Sequence, residues 1–258
     1  MTEITVLLIN LDSSPDRLKA AETALAAQAT ACMRIPAVDG RHTPVEDFPT
    51  YDAAATLRYF GRALNGGEVG AFQSHLRALS TFLDSGAPYG LILEDDMDPD
   101  AQAMAFVSGI LAWQKARWQE DWHVVNLGAK RQKLTSPLAV LEAGGTSIEI
   151  LRGHYFPMLA TALLWTRSGA EAFLAQHTRI DCPWDHALRR WLTQTDMGLT
   201  VSPPLFLTTG ASSQIDTPRA ARGTEGRSHL YRWRRMRRNW GDRLKAFRHK
   251  ARHRNRRP

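Results

Sequence analysis

Two cysteines, Cys32 and Cys182, are all that the 258-residue chain contains, and neither has a companion at the CxxC spacing of metal sites. A disulfide framework and a zinc site are therefore not expected, and a reducing cytoplasm is the easier setting. Long apolar runs are missing too. The longest, Phe156 to Trp165, falls well short of the roughly 20 residues that cross a bilayer. The opening MTEITVLLINLD has Glu3 where a signal peptide is basic, and no small-residue cleavage site follows, so it reads as a strand. Internal repeats are also lacking. With 43% hydrophobic and 23% charged residues against 18 Gly and 13 Pro, the composition is that of an ordinary globular protein.

Acids are nearly absent from one end. Residues 219–258 hold 16 of the 33 Lys and Arg and only Glu225 and Asp242, so the tail carries about +14 and the body before it about −7. This break divides the chain into a domain at 1–218 and a basic tail at 219–258, with the boundary near Thr217–Arg222. In the tail, Leu230, Trp233, Met236, Trp240, Leu244 and Phe247 recur at helical spacing, with Arg232, Arg234, Arg235, Arg238 and Arg243 between them. Such a helix suits an anionic membrane surface, each basic residue contributing on the order of 1 kcal/mol. It also suits a helix that packs its Trp face on the body and leaves its arginines in water. A nucleic-acid partner ranks last, because no base-reading fold accompanies the charge.

Along the body, strands alternate with helices, which predicts an α/β fold with a mostly parallel sheet. Ile4–Ile9 is a buried strand, followed by a helix with Ser14 as cap and Pro15 in its first turn. Met33–Val38 is a second strand, closed by Asp39–Gly40, and 41–66 lacks pattern and reads as a long surface excursion. After Gly66–Gly67, the spacing of Val69, Phe72, Leu76, Leu79 and Leu83 predicts a helix ending at Gly86. Tyr89–Leu93 is a third strand running into Glu94–Asp95–Asp96, and Asp98 before Pro99 looks like the cap of another helix. Trp122–Leu127 is a fourth strand and 137–151 a hairpin. Helices are expected at 168–176 and after Pro183, with short strands near 199–201 and 205–208.

Three adjacent carboxylates ending a buried strand repel one another unless a cation sits among them. Hard oxygen ligands at the carboxyl end of a parallel strand suit Mg²⁺ or Mn²⁺, which complete their shells with substrate phosphates. Water-facing acids that merely cap a helix remain the alternative. Glu68 and His75 share one edge of their helix, which would pair and orient the imidazole, while Ser74 taken alone reads as a solvent residue. Asp181, Asp185 and His186 surround a helix start. Asp185 there is either a general base or an electrostatic complement to the helix. His123, His154 and His177 read as structural.

Several segments together resemble glycosyltransferase family 25, which includes bacterial lipo-oligosaccharide galactosyltransferases and collagen galactosyltransferases. They are Ile9-Asn10-Leu11-Asp12 with Pro15-Asp16-Arg17, Arg34-Ile35-Pro36-Ala37-Val38-Asp39-Gly40, Gly67 to His75, and Leu93-Glu94-Asp95-Asp96. Ala162–Ala170 and Asp181–Leu188 are weaker later blocks. Ala71 and Gln73 depart from the Cys and Leu often found in the family, and Leu164–Trp165 from a usual Tyr. The resemblance implies a GT-A type fold, a UDP-sugar donor and inversion at the anomeric carbon. It implies Glu94 and Asp96 at the metal, with Asp95 completing the diphosphate motif, and Asn10, Leu11, Arg17 and Asp39 on the nucleotide side. Glu68, Ser74 and His75 would support the donor pocket, and Asp185 would be the base. The implied activity is hexosyl transfer, galactose first, to a lipopolysaccharide or other surface glycan at the inner face of the plasma membrane. Two other readings stay open: a polyanion or nucleic-acid binder on a degenerate transferase fold, and a metal-dependent phosphohydrolase.

Overall fold

The computed structural model describes residues 3–116, 121–210 and 230–255. The apolar run of β1 (Ile4–Asn10) buries both its faces. Leu7 and Ile9 enter one core cluster and Val6 and Leu8 the other, as a two-residue period in a covered sheet requires. β3 (Tyr89–Glu94) divides in the same way, with Ile92 on one side and Leu91 and Leu93 on the other.

With β2 (Met33–Pro36), β5 (Val124–Asn126), β6 (Lys133–Ala143), β7 (Thr146–Tyr155), β8 (Ala162–Thr166) and β9 (Gly198–Ser202), these form an eight-stranded sheet of order β2-β1-β3-β8-β5-β9-β7-β6. The pairs β1–β2, β1–β3 and β5–β9 are parallel and the other four antiparallel. The sheet is therefore mixed rather than mostly parallel. β8 runs against both its neighbours, and the β6–β7 hairpin extends the sheet antiparallel. The parallel β2-β1-β3 half carries the candidate site.

Helices cover both faces. On one, α1 (Pro15–Ala26) and α4 (Ala103–Ala116) contribute Leu25, Phe106 and Ile110. On the other, α3 (Gly66–Asp84), α5 (Arg167–Gln176) and α6 (Trp184–Thr195) enclose Phe72, Phe82, Trp165, Phe173, Trp184 and Trp191. A buried aromatic of this kind is worth about 3–5 kcal/mol against alanine.

Two expectations are corrected here. Asp98 caps no helix: Met97–Pro99 is a strand, β4, paired antiparallel with β10 (Phe206–Thr208). Pro99 is tolerated at the margin of this two-stranded ribbon because it need not donate there. The turn into α4 is made by Asp100, whose Oδ1 accepts from Gln102 N at 2.9 Å. Residues 41–66 are not a surface excursion either. A 3-10 turn at Val45–Asp47 and α2 (Ala53–Tyr59) lie within them, and Phe48, Phe60 and Leu64 are buried in the core.

The tail forms α7 (Tyr231–Asn255), packed against α6, β6 and β7. The boundary near Thr217–Arg222 lies outside the described residues. The helix docks through its basic edge, contrary to the expectation that docking would use the Trp face. Arg238 donates to Tyr59 O and Phe60 O at 3.1 and 3.3 Å and lies over both rings, Arg234 donates to Leu57 O, and Ala246 is fully buried. Near its end, His249 approaches Asp196, and His253 lies against His154. His154 has partners that its sequence context does not reveal, Ser136 Oγ at 2.9 Å and Asp196 Oδ1 at 2.7 Å. Trp233, Trp240 and Phe247 are 49%, 65% and 56% exposed, so the apolar stripe faces outward.

Candidate active site

A cleft of about 130 Å³ opens at the carboxyl ends of β1 and β3. It is lined by Ile9–Leu11, Arg17, Ala37–Arg41, Gly67, Ala71, Ser74, His75 and Glu94–Asp96. Asn10, 2% exposed, is the hub of its floor. Its Nδ2 donates to Asp95 Oδ2 at 2.7 Å and to Ser14 O at 3.0 Å, and its Oδ1 accepts from Arg34 Nε at 3.1 Å. Arg17, from the first turns of α1, pairs with the other oxygen of Asp95, while its Nε is buried without a partner. Asp95 is thus held from both sides, although burial pushes its carboxyl up against the opposing pull of Asn10 and Arg17.

Asp96 is different. Its Oδ1 is buried with no hydrogen-bond partner, and burial, then the charge of Glu94, raise its carboxyl to about 6. An unpaired carboxylate beside a second one is costly in this form and is relieved by a cation. Among the described residues no three His, Cys, Asp or Glu side chains converge to hold a metal by themselves. Asp96 and Glu94 nevertheless fit Mg²⁺ or Mn²⁺ as a two-carboxylate site whose shell is completed by phosphate oxygens.

The opposite wall is the segment Val38–Arg41, pressed onto the start of α3. A Cβ on Gly40 would lie 2.0 Å from Gly66 O, and one on Gly66 would lie 1.9 Å from Gly40 O, so the contact needs glycine on both sides. Ser74 clamps it: Oγ accepts from Val38 N at 2.8 Å and donates to Gly70 O at 2.7 Å. Ser74 is therefore buried rather than a solvent residue. Arg41 pairs with Asp39, and that hydrogen bond above all holds the Asp39 carboxyl down at about 2; Arg41 also donates to Ser13 Oγ at 3.0 Å. Leu11 supplies apolar surface at the mouth.

Glu68 does not line the cleft and does not pair with His75. It closes a capping box with Asn65, with hydrogen bonds of 2.8 and 3.0 Å, and holds Arg62 at 2.6 and 2.8 Å. The partner of His75 is Glu94, at 3.1 Å. The His75 ring also stacks on Trp184, with centroids 4.4 Å apart and planes within 7°. The sequence reading weighed the acids and His186 of this segment and gave Trp184 no role, yet its ring fixes the start of α6 against α3. Asp185 follows it, and its carboxyl is raised to about 6 by burial first and Glu94 second, with His75 and Arg189 opposing. Asp181 instead forms a two-pronged pair with Arg190, both bonds at 2.8 Å. Charge from the metal motif and from α6 thus meets across His75.

Residues 3–148 match the family described as glycosyltransferase family 25 (LPS biosynthesis protein). The chain belongs to that family. It is similar to procollagen galactosyltransferase 1 of Danio rerio, 29% identical over 140 residues that make up 51% of this chain and 22% of the relative. The match thus spans about a fifth of that protein's length. A structural comparison returns the crystal structure of mannose-1-phosphate geranyltransferase from Thermus thermophilus. It shows 11% identity and a TM-score of 0.29, over 74% of this chain and 64% of that one, too slight a likeness to bear on fold or function.

Proposed function

We propose that the protein is an inverting hexosyltransferase of GT-A type that moves galactose from a UDP-sugar to a hydroxyl of a lipopolysaccharide or other surface glycan. The observation that carries this reading is the pairing, in one cleft, of Asp96's buried unpartnered oxygen with Arg17's buried unpartnered Nε. One seeks a cation and the other an anion, and a metal-bound diphosphate supplies both. In this reading Glu94 and Asp96 hold the ion, which when bound neutralises charge on the departing diphosphate. Asn10 keeps Asp95 and, through it, Arg17 in place for the diphosphate. Leu11 and the Val38–Arg41 wall, with Asp39 already neutralised by Arg41, take the nucleoside. Ser74 and His75 hold that wall and Glu94. Glu68 acts at a distance by capping α3.

Asp185 is the base. The acceptor oxygen forms its bond to the anomeric carbon as the bond to the diphosphate breaks, and the acceptor proton passes to the Asp185 carboxylate. A carboxyl near 6 is well matched to that task at neutral pH. The outward face of α7 fits the same picture. Trp233, Trp240 and Phe247 stand between Arg232 on one side and Arg237 and Arg248 on the other, the arrangement that lies in the headgroup layer of an anionic leaflet. No helix among the described residues is long and apolar enough to cross a membrane, so attachment would be peripheral.

The test is UDP release from UDP-galactose with Mn²⁺, with and without a lipo-oligosaccharide acceptor. Acceptor-dependent release that favours UDP-galactose over UDP-glucose supports the reading. Release of free galactose at the same rate without acceptor would instead indicate a hydrolase.

A further inference from the structure

A second and wider cavity, of about 530 Å³, lies between α7 and the body, on the side of α6 that faces away from α3. Six cations line it: Arg131 and Lys133 before and in β6, Arg189 on α6, and Arg235, Arg238 and Arg243 on α7. No carboxylate lines it, and none of the six is in a salt bridge among the described residues. Asp242, half-buried, acts electrostatically on Arg238 and Arg189, and Asp185 acts on Arg189, but neither carboxylate lines the cavity.

Two of the cations make their hydrogen bonds to neutral groups. Arg189 donates to Phe156 O at 2.8 Å and lies 4.6 Å over the Tyr155 ring, and Arg238 donates to backbone carbonyls while its Nε is buried without a partner. Burial first, then Arg238, Arg189, Arg62 and Arg235, hold His186 down to about 3, so this ring on the wall is neutral and adds no charge of its own. Guanidinium groups hydrogen-bonded to carbonyls and in no direct salt bridge among the described residues form a cradle for a phosphoryl group, which accepts the paired hydrogen bonds that Arg offers.

The position of the cavity says which phosphate. His186 and Arg189 lie one and four residues after Asp185 on the same helix, and Arg189 acts electrostatically on Asp185. The cavity wall thus carries the neighbours of the proposed base on α6, while Asp185 itself lines neither this cavity nor the donor cleft. We propose that this cavity is a subsite for a phosphate carried by the acceptor saccharide, which holds the acceptor so that its hydroxyl meets Asp185. This rests on the assignment of Asp185 as the base, and it predicts that the enzyme prefers phosphorylated acceptors to neutral ones.

The test uses the full chain in EDTA, so that a metal-dependent donor site is silent, with inorganic pyrophosphate and glucose 1-phosphate as calorimetric probes. Arg235→Ser/Arg243→Ser is the variant, because both side chains are exposed and hold no hydrogen bond among the described residues, so the described fold does not depend on them. The wild type should bind both probes and the double variant should bind them about tenfold or more weakly, while UDP binding in Mn²⁺ stays within twofold. Equal affinity in the two proteins, or no binding by the wild type, would overturn the proposal. A loss confined to phosphatidylglycerol vesicles, with the soluble probes unaffected, would assign the cavity to lipid headgroups and overturn the acceptor role. If UDP fails to bind any form while the arginine-dependent phosphate binding persists, the donor reading falls and the subsite stands.

Discussion

Replacing Asn10 with alanine removes three hydrogen bonds from a side chain that is 2% exposed. The bond to Ser14 O is between neutral groups and is worth about 1 kcal/mol, and those to Asp95 and from Arg34 involve charges and are worth about 1.5–3 kcal/mol each. Arg34 is 30% exposed and recovers part of its loss from water, whereas Asp95 is 10% exposed and does not. The net cost should be about 3–5 kcal/mol, which for a domain of this size lowers Tm by roughly 6–20 °C. Urea unfolding followed by circular dichroism would measure it, with an unchanged slope showing that the unfolded state is not the cause. Asn10→Asp sharpens the test. It keeps the shape but sets a carboxylate against Asp95, so it should be more destabilising at pH 7 than at pH 4, where both acids take up protons. A loss below about 1 kcal/mol in the alanine variant, with UDP affinity retained, would refute the view that Asn10 organises the cleft floor.

Asp185→Asn should lower kcat by about 10²–10⁴-fold. In the wild type the rate should rise with pH through about 6, because the base works only when deprotonated, and that inflection should vanish in the variant. Ser74→Ala should cost about 1–2 kcal/mol and raise KM for the donor more than it lowers kcat, since it frees the Val38–Arg41 wall without touching the reacting atoms. Trp233→Ser/Trp240→Ser should leave Tm unchanged, because both rings face outward, yet reduce sedimentation with phosphatidylglycerol vesicles at least tenfold by loss of about 1.5–3 kcal/mol of apolar burial per ring. Wild-type vesicle binding should also weaken as salt rises.

The elements with strong periodicity were legible in the sequence. β1, β3, α3, the β6–β7 hairpin and α6 stand where apolar spacing and turn residues place them: β1 and β3 are buried runs, α3 and α6 each bury one regular face, and Gly144–Gly145 makes the hairpin turn. What stayed hidden depends on contacts remote in sequence. Residues 41–66 show no pattern because short elements are anchored there by single residues, Phe48, Phe60 and Leu64, rather than by a repeating face. Strand direction is not encoded locally, so the antiparallel course of β8 was invisible. The two faces of α7 were evident from spacing, but which of them meets the body is decided by carbonyls of α2 waiting for Arg234 and Arg238. At the site, the acidic run was readable as chemistry at a strand's carboxyl end, whereas Asn10, Arg17 and Asp39 were indicated only by the family resemblance; the structure gathers all of them along one cleft. The pairing of His75 with Glu94 and Trp184 rather than with Glu68 requires β3 and α6 to be folded against α3.

The most direct test of the account is calorimetric binding of UDP with and without Mn²⁺ to the wild type and to Asp96→Asn. The account predicts metal-dependent binding of UDP to the wild type and its loss in the variant, with Tm no lower in the variant because the substitution removes a charge that burial and Glu94 disfavour more than Arg17 supports it. Binding of UDP that is unchanged by Mn²⁺ or by the substitution would contradict it, and would move the diphosphate away from the carboxyl end of β3.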